Sequence, residues 1–348
     1  MAEKKYNIVK TQVGLEEALI KANEAEFVAF DTETTGLNVR TDKIVGLSFT
    51  SFFNEGTYIV FQEYNPETQT LDAVFPAEVE LKFIKKLCEI LRTKKLVMHN
   101  AIFDILMMRY YYGEDLLTAL YADTQLMKHT VDENRPFGLK DIARRYQESL
   151  GIPAEEEANK EQIELKEAVK AVKGSWSAKN KEMYKAPSDV LGRYGAADVD
   201  LTLRLFDYFD IEMENQGFKR FFYEDEVMPL QKLGTIQMVS KGIKIDVEYF
   251  KQLKIELEND IIATEKRIFE QLGDSIKPKV EELLDKEVKV TKTGLFAKGA
   301  LRYYKVPVPS NPKTGKPTLA KSAMQALLTN YPDNPALEFL LNDKPLPE

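Results

Sequence analysis

The sequence predicts a mixed α/β sheet flanked by helices, followed by a mainly helical region. Three observations predict it. Short apolar runs rich in β-branched and aromatic residues succeed one another across small turns in the first hundred residues. Longer amphipathic stretches are interleaved with the later ones. Past roughly Phe222 the chain changes character, and a helix, a glycine turn and one short strand lead into a long helix. The expected division is therefore 1–222 and 223–348.

Strands are predicted at about Phe27–Asp31, Ile44–Ser51, Thr57–Phe61 and Leu96–His99, the first three joined by short turns as an antiparallel meander. Helices are predicted at about Pro76–Arg92, Ile102–Tyr112, Thr124–Thr130, Leu139–Tyr146 and Pro187–Glu214. Between the last two, the segment from Glu155 to Lys173 is charge-rich and poor in apolar residues, so it reads as a mobile helix or insertion. Beyond Gly242, Ile243-Lys244-Ile245-Asp246 reads as a short strand, and Val247–Leu272 as a long helix. Ala320-Lys321-Ser322-Ala323 opens another helix.

Three acidic islands stand in order along the α/β part: Asp31-Thr32-Glu33, then Asn100 and Asp104, then Tyr194 and Asp198. Phe27-Val28-Ala29-Phe30 is a buried-strand run ending at Asp31, and residues two apart on a strand share a face, so Asp31 and Glu33 converge. Two close carboxylates repel, and one keeps its proton at neutral pH unless a hard divalent cation holds both ionised; Mg2+ or Mn2+ is the natural occupant. Asn100 is a plausible helix N-cap, with Asp104 one turn into the helix that follows. Tyr194 and Asp198, four apart on a helix, share a face.

Each feature also has a bland reading. Asp31 to Glu33 alone would be an ordinary strand-end turn. Asp200, two positions beyond Asp198, turns off the Tyr194 face and reads as solvated or salt-bridged. His99 packs at a strand end, His129 caps or salt-bridges, and Lys140 reads as a lone exposed lysine unless it contacts phosphate.

With these islands the chain resembles the DEDD superfamily of 3′–5′ exonucleases, and more narrowly the proofreading domain of family A, polymerase I-like DNA polymerases. Asp31, Glu33 and Leu37 match its first motif, Asn100 and Asp104 its second, and Tyr194 with Asp198 the tyrosine form of its third. Arg193 stands where the alternative form takes histidine, which indicates the DEDDy branch. The resemblance implies a ribonuclease H-like exonuclease fold for 1–222. It also implies two divalent ions, Mg2+ or Mn2+, bridged by Asp31 and completed by Glu33 and Asp198, with Asp104 on the second ion through water. Tyr194 would orient the attacking water. Leu37, Asn100 and Thr32 would meet the substrate, with Leu37 wedged against the last base. The stretch from Met228 to Asp246 and the loop around Lys313–Thr318 resemble the thumb region of the same polymerases, which covers 223–348.

The expected activity is metal-dependent release of 5′-mononucleotides from single-stranded or frayed DNA 3′ ends, as the proofreading half of a family A polymerase in DNA replication. No palm or fingers motif is found. This reads as half of a split polymerase, viral in type, with its palm and fingers on a separate polypeptide; a truncated chain would look identical. A ribonuclease D-type RNA 3′-end exonuclease and an inert primer-end binding subunit are the alternatives. The polymerase-like tail argues against the first, and the intact carboxylates and Tyr194 against the second.

Composition agrees with this reading. The chain has 348 residues, 44% hydrophobic and 30% charged, enough for a full core and more than one domain. Cys88, the single cysteine, lies on an apolar helical stripe with Leu81, Ile84, Leu87 and Leu91, so a buried thiol and a cytoplasmic setting (the host's, for a viral chain) are expected, with no disulfide. The first residues lack the apolar core of a signal peptide, and no run is long enough to span a membrane. The net charge of −8 is uneven: Lys277 to Lys321 carries eleven Lys and Arg against four acids, a local excess of +7. Such an arm suits a phosphate backbone or is a solvated linker.

Overall fold

The protein is described by a computed structural model covering residues 4–152, 160–177, 181–288, 294–311 and 314–342. Residues 155–159 of the charged segment, Lys313 of the predicted loop and both chain ends lie outside the described residues. The chain divides into two compact units, 1–242 and 243–348.

The first unit is built on a six-stranded sheet of order β1-β4-β3-β2-β7-β8. These strands are β1 (Lys5–Val9), β2 (Phe27–Thr34), β3 (Ile44–Thr50), β4 (Glu55–Val60), β7 (Lys95–Met98) and β8 (Leu120–Asp123). The predicted meander is present: β2 pairs antiparallel with β3, and β3 with β4. β1, β7 and β8 add parallel neighbours, so the sheet is mixed. Every residue of β3 is buried, which explains its unbroken apolar run at the sheet centre. β1 and β8 were not predicted. β1 is a largely half-exposed edge strand beginning with a lysine, and β8 has only four residues, so neither carries a strong alternation signal. A small separate hairpin, β5 (Gln62–Asn65) with β6 (Thr70–Ala73), and the helix α1 (Gln12–Ala22) were also missed.

The predicted helices appear as α2 (Ala77–Leu91), α3 (Ala101–Met107), α4 (Thr124–Val131), α5 (Leu139–Arg145) and α7 (Ser188–Asn215). The expected Ile102–Tyr112 helix is corrected: α3 widens into a π-turn over Met108–Tyr112. Cys88 is fully buried with Ile84, Leu87 and Leu91, although Leu81 of that stripe is exposed. The described part of the charged segment is a helix, α6 (Lys160–Ala171), whose Leu165 and Val169 are buried in one cluster with Tyr58, Leu191 and Tyr194. Three turns, α8 (Val227–Pro229), a π-turn over Leu230–Thr235 and α9 (Ile236–Lys241), follow α7, and Met228 and Ile236 join the main core.

Strand alternation divides the sheet between two faces. Along β4, Ile59 enters the main core with α1 and α2, while Tyr58 and Val60 enter the cluster containing α6 and the start of α7. Asp31 pairs with Ser48, and Ser48 with Tyr58, so Asp31 points to the α7 side, as does Glu33. The contact with α7 is unusually close. A methyl on Gly56 would come within 2.6 Å of the Ala196 carbonyl oxygen, one on Gly192 within 2.6 Å of Ile8, and one on Gly195 within 2.9 Å of the Tyr58 ring.

The second unit is helical. α10 (Val247–Leu284) is capped by Asp246, whose carboxylate accepts from the Tyr249 amide, and it runs past Pro278, longer than predicted. Its Ile276 and Val280 pack with Phe296 and Leu301 of α11 (Gly294–Tyr303), Met324 of α12 (Lys321–Leu327) and Leu337 of α13 (Pro335–Asn342). The predicted strand Ile243-Lys244-Ile245 is corrected: it forms no strand and is unpaired, with Ile243 91% exposed, because no strand of the described residues lies beside it.

Candidate active site

The sheet and α7 bring the first and third islands together. Carboxylate oxygens of Asp31, Glu33 and Asp198 all lie within 4.8 Å of one another, the one such group among the described residues. Burial, then the facing carboxylates, push the carboxyls of Asp31 and Glu33 well above their ordinary range. Asp198 is raised too, by burial. An oxygen-only, desolvated set of this kind fits a hard divalent cation. Burial, and then the charge of Asp198, push the Tyr194 phenol far above its usual value, so it is a proton-bearing donor.

Asp104 stands beside this triangle, tied to the strand between its two β2 members. Its carboxylate accepts from the Thr32 amide at 3.0 Å and the Thr32 hydroxyl at 2.5 Å. Burial lifts Asp104 to about 7 despite those bonds. Thr32 itself is buried. Leu37 is 82% exposed, on a loop fastened by Asp42, which accepts from the Asn38 amide at 2.7 Å.

Asn100 is exposed and stands at the N-cap position of α3, as expected, in a left-handed conformation, φ 62°. Its side chain, however, makes no capping hydrogen bond. Asp123, at the end of β8, accepts from the amides of Asn100 at 3.0 Å and Ala101 at 2.8 Å. Asp123 also caps its own α4 through the Gln125 amide. It escaped the sequence reading, although an Asp-Thr pair at the head of an apolar-periodic helix was a visible capping signal.

Lys140 is likewise corrected. It is 7% exposed, pairs with Asp198 Oδ1, and lies 4.7 Å from the centre of the Tyr194 ring. The Gly138-Leu139-Lys140 turn delivers it. His99 is half-buried and pairs through Nδ1 with Thr124 Oγ1 (2.9 Å) and through Nε2 with the Phe137 carbonyl (3.1 Å). A carbonyl only accepts, so Nε2 carries a proton; desolvation lowers the imidazole to about 4, which leaves the ring neutral at pH 7. His129 packs against Phe137. Asp200, expected to turn off the Tyr194 face and to be solvated or salt-bridged, is buried and ion-paired with Arg204 at 3.1 Å. It also accepts from the Asn54 amide at 2.9 Å, and Arg204 reaches Asn54 Oδ1 and the Leu150 carbonyl, which pins α7 to the β3–β4 turn.

Residues 6–214 match a family described as 3′–5′ exonuclease, the exonuclease of type A DNA polymerases. The chain is 24% identical over 276 residues to a DNA polymerase I of Borreliella burgdorferi, covering 77% of this chain and 26% of that protein. It is 26% identical over 332 residues to a DNA polymerase I of Pseudomonas aeruginosa, covering 94% of this chain and 32% of that one. The chain therefore spans about a quarter to a third of these curated relatives. In fold, it is similar to the polymerase domain of Pol1 from M. smegmatis in complex with primer-template DNA and dNTP. That likeness has a TM-score of 0.52 at 16% identity, over 96% of this chain and 47% of that one.

Proposed function

The chain belongs to the 3′–5′ exonuclease family of type A DNA polymerases, and from that premise we propose that Asp31, Glu33, Asp104, Tyr194 and Asp198 form its catalytic site, removing 5′-mononucleotides from DNA 3′ ends. The observation that carries this is the convergence of three carboxylates, Glu33 and Asp198 buried and Asp31 half-buried, from a strand and a helix 165 residues apart in sequence.

Two divalent ions, Mg2+ or Mn2+, would supply the hydroxide and stabilise the leaving oxygen. Asp31, Glu33 and Asp198 would hold the cation. Asp104, fixed by Thr32, would support a second ion beside them. Tyr194, protonated at any physiological pH, donates to the attacking water and orients it. Leu37 on its tethered loop stacks against the terminal base, and exposed Asn100 lies within the same second island at the substrate side. Region 223–348 serves as a thumb-like module whose basic stretch from Lys277 to Lys321 follows a phosphate backbone. A palm-and-fingers part, joined to this chain or carried on a separate polypeptide, is the protein partner this reading implies.

The test is digestion of a 5′-labelled single strand with Mg2+ or Mn2+, beside a matched RNA. DNA is shortened from its 3′ end by the wild type, and Asp31→Ala or Asp198→Ala abolishes release while strand binding survives. Wild-type rates in both variants would overturn the site assignment, and preference for RNA would overturn the substrate.

A further inference from the structure

The acidic cluster carries a cation of its own. Lys140 Nζ pairs with Asp198 Oδ1 over the Tyr194 ring, and its charge also draws down the raised carboxyls of Asp31 and Glu33. Its placement is fixed from outside the cluster. The Phe137 carbonyl just ahead of α5 is held by His99 and by Gln125 Nε2. The loop before that is anchored by fully buried Lys128, which donates to the Asp132 and Asn134 carbonyls.

We propose that Lys140 is a built-in counter-cation, occupying Asp198 until a divalent metal displaces it. The inference rests on the metal-site reading above. Without metal an acidic triangle this close is relieved by proton uptake and by nearby positive charge, and an ammonium on a four-carbon stem supplies that charge reversibly. An ammonium in contact with Asp198 also competes with a dication for the same carboxylate, and the two cations repel. Lys140 therefore trades metal affinity for an ordered metal-free site, and is a positioning residue.

The test is calorimetric titration of Mn2+ into the metal-free full chain, for wild type, Lys140→Met, Lys140→Arg and Asp31→Asn, with melting curves beside it. Lys140→Met keeps the apolar stem, loses the charge, and is expected to bind Mn2+ tighter by on the order of tenfold. It is expected to melt lower than wild type without metal and to gain more from Mn2+. Lys140→Arg is expected to bind as wild type does. Unchanged or weaker Mn2+ binding in Lys140→Met overturns the proposal; if that variant does not fold, Lys140→Gln is read by the same titration and the same criterion. Loss of Mn2+ binding in Asp31→Asn shows that the site reading stands whatever Lys140 does. Wild-type binding there means that the site reading itself has failed.

Discussion

Replacing Glu33 by glutamine should stabilise the metal-free protein while removing its response to metal. Glutamine keeps the shape and deletes one charge from a triangle whose members lie within 4.8 Å of each other. At an effective dielectric of about 20, two charges at that distance repel by about 3.5 kcal/mol. Protonation sets a similar limit: lifting an ordinary glutamate to neutrality at pH 7 takes about 3.7 kcal/mol. The Lys140 ammonium offsets part of either figure, which leaves a gain of about 2 kcal/mol, or about 4–8 °C in melting temperature for a domain of this size. The assay is thermal unfolding in chelator at pH 7, repeated with Mn2+. Wild type should rise with Mn2+ and Glu33→Gln should scarcely move. The pH dependence has a definite sign. Because Asp31 and Glu33 are raised in the fold, the native chain holds protons that the unfolded chain has lost above about pH 4. Metal-free stability therefore falls as pH rises from there through the raised values, and the slope is shallower in Glu33→Gln. A variant that melts at or below wild type in chelator would refute the claim that these carboxylates oppose one another.

Two further outcomes follow from groups outside the triangle. His99 is lowered to about 4 by burial, so between its unfolded value near 6.5 and about 4 the unfolded chain takes a proton that the fold refuses. That contribution, about 3 kcal/mol, is fully present above pH 6.5 and is lost as pH falls. Denaturant unfolding of wild type and His99→Gln from pH 7 to 4.5 should show their stability difference shrinking by that order, and a constant difference would sink the assignment. Arg204→Met leaves buried Asp200 with neutral donors, the Asn54 amide at 2.9 Å and the Tyr6 hydroxyl at 3.5 Å, in place of its ion-pair partner, and should cost about 3–5 kcal/mol in urea unfolding. Less than about 1 kcal/mol would mean that the pair does not pin α7.

The convergence of the acidic groups was more legible in the sequence than the fold around them. Asp31, Glu33 and Tyr194–Asp198 were legible because period-two and period-four spacing alone decide which side chains share a face, and the structure keeps both spacings. The meander was legible because its strands are buried runs between short turns. Edge strands β1 and β8 were not, since short or half-solvated strands leave no strong pattern. Lys140 was misread for a different reason. Burial of a lysine depends on a partner 58 residues away, and nothing local in Gly138-Leu139-Lys140 announces Asp198. The capping of α3 by Asp123 rather than Asn100 is likewise a tertiary contact, made by a strand end 22 residues downstream of Ala101.

The glycines where α7 meets the sheet act as a ruler. With no side chain between Gly56 and Ala196, or between Gly195 and Tyr58, the helix rests almost on the backbone of β4, and this thickness sets how far Asp198 stands from β2. Mg2+ tolerates only a narrow octahedral shell at about 2.1 Å, whereas larger, softer-shelled cations accept longer and less regular ones. If the site holds a metal, its choice of ion would thus depend partly on residues that touch no metal, the glycines at the helix–sheet seam.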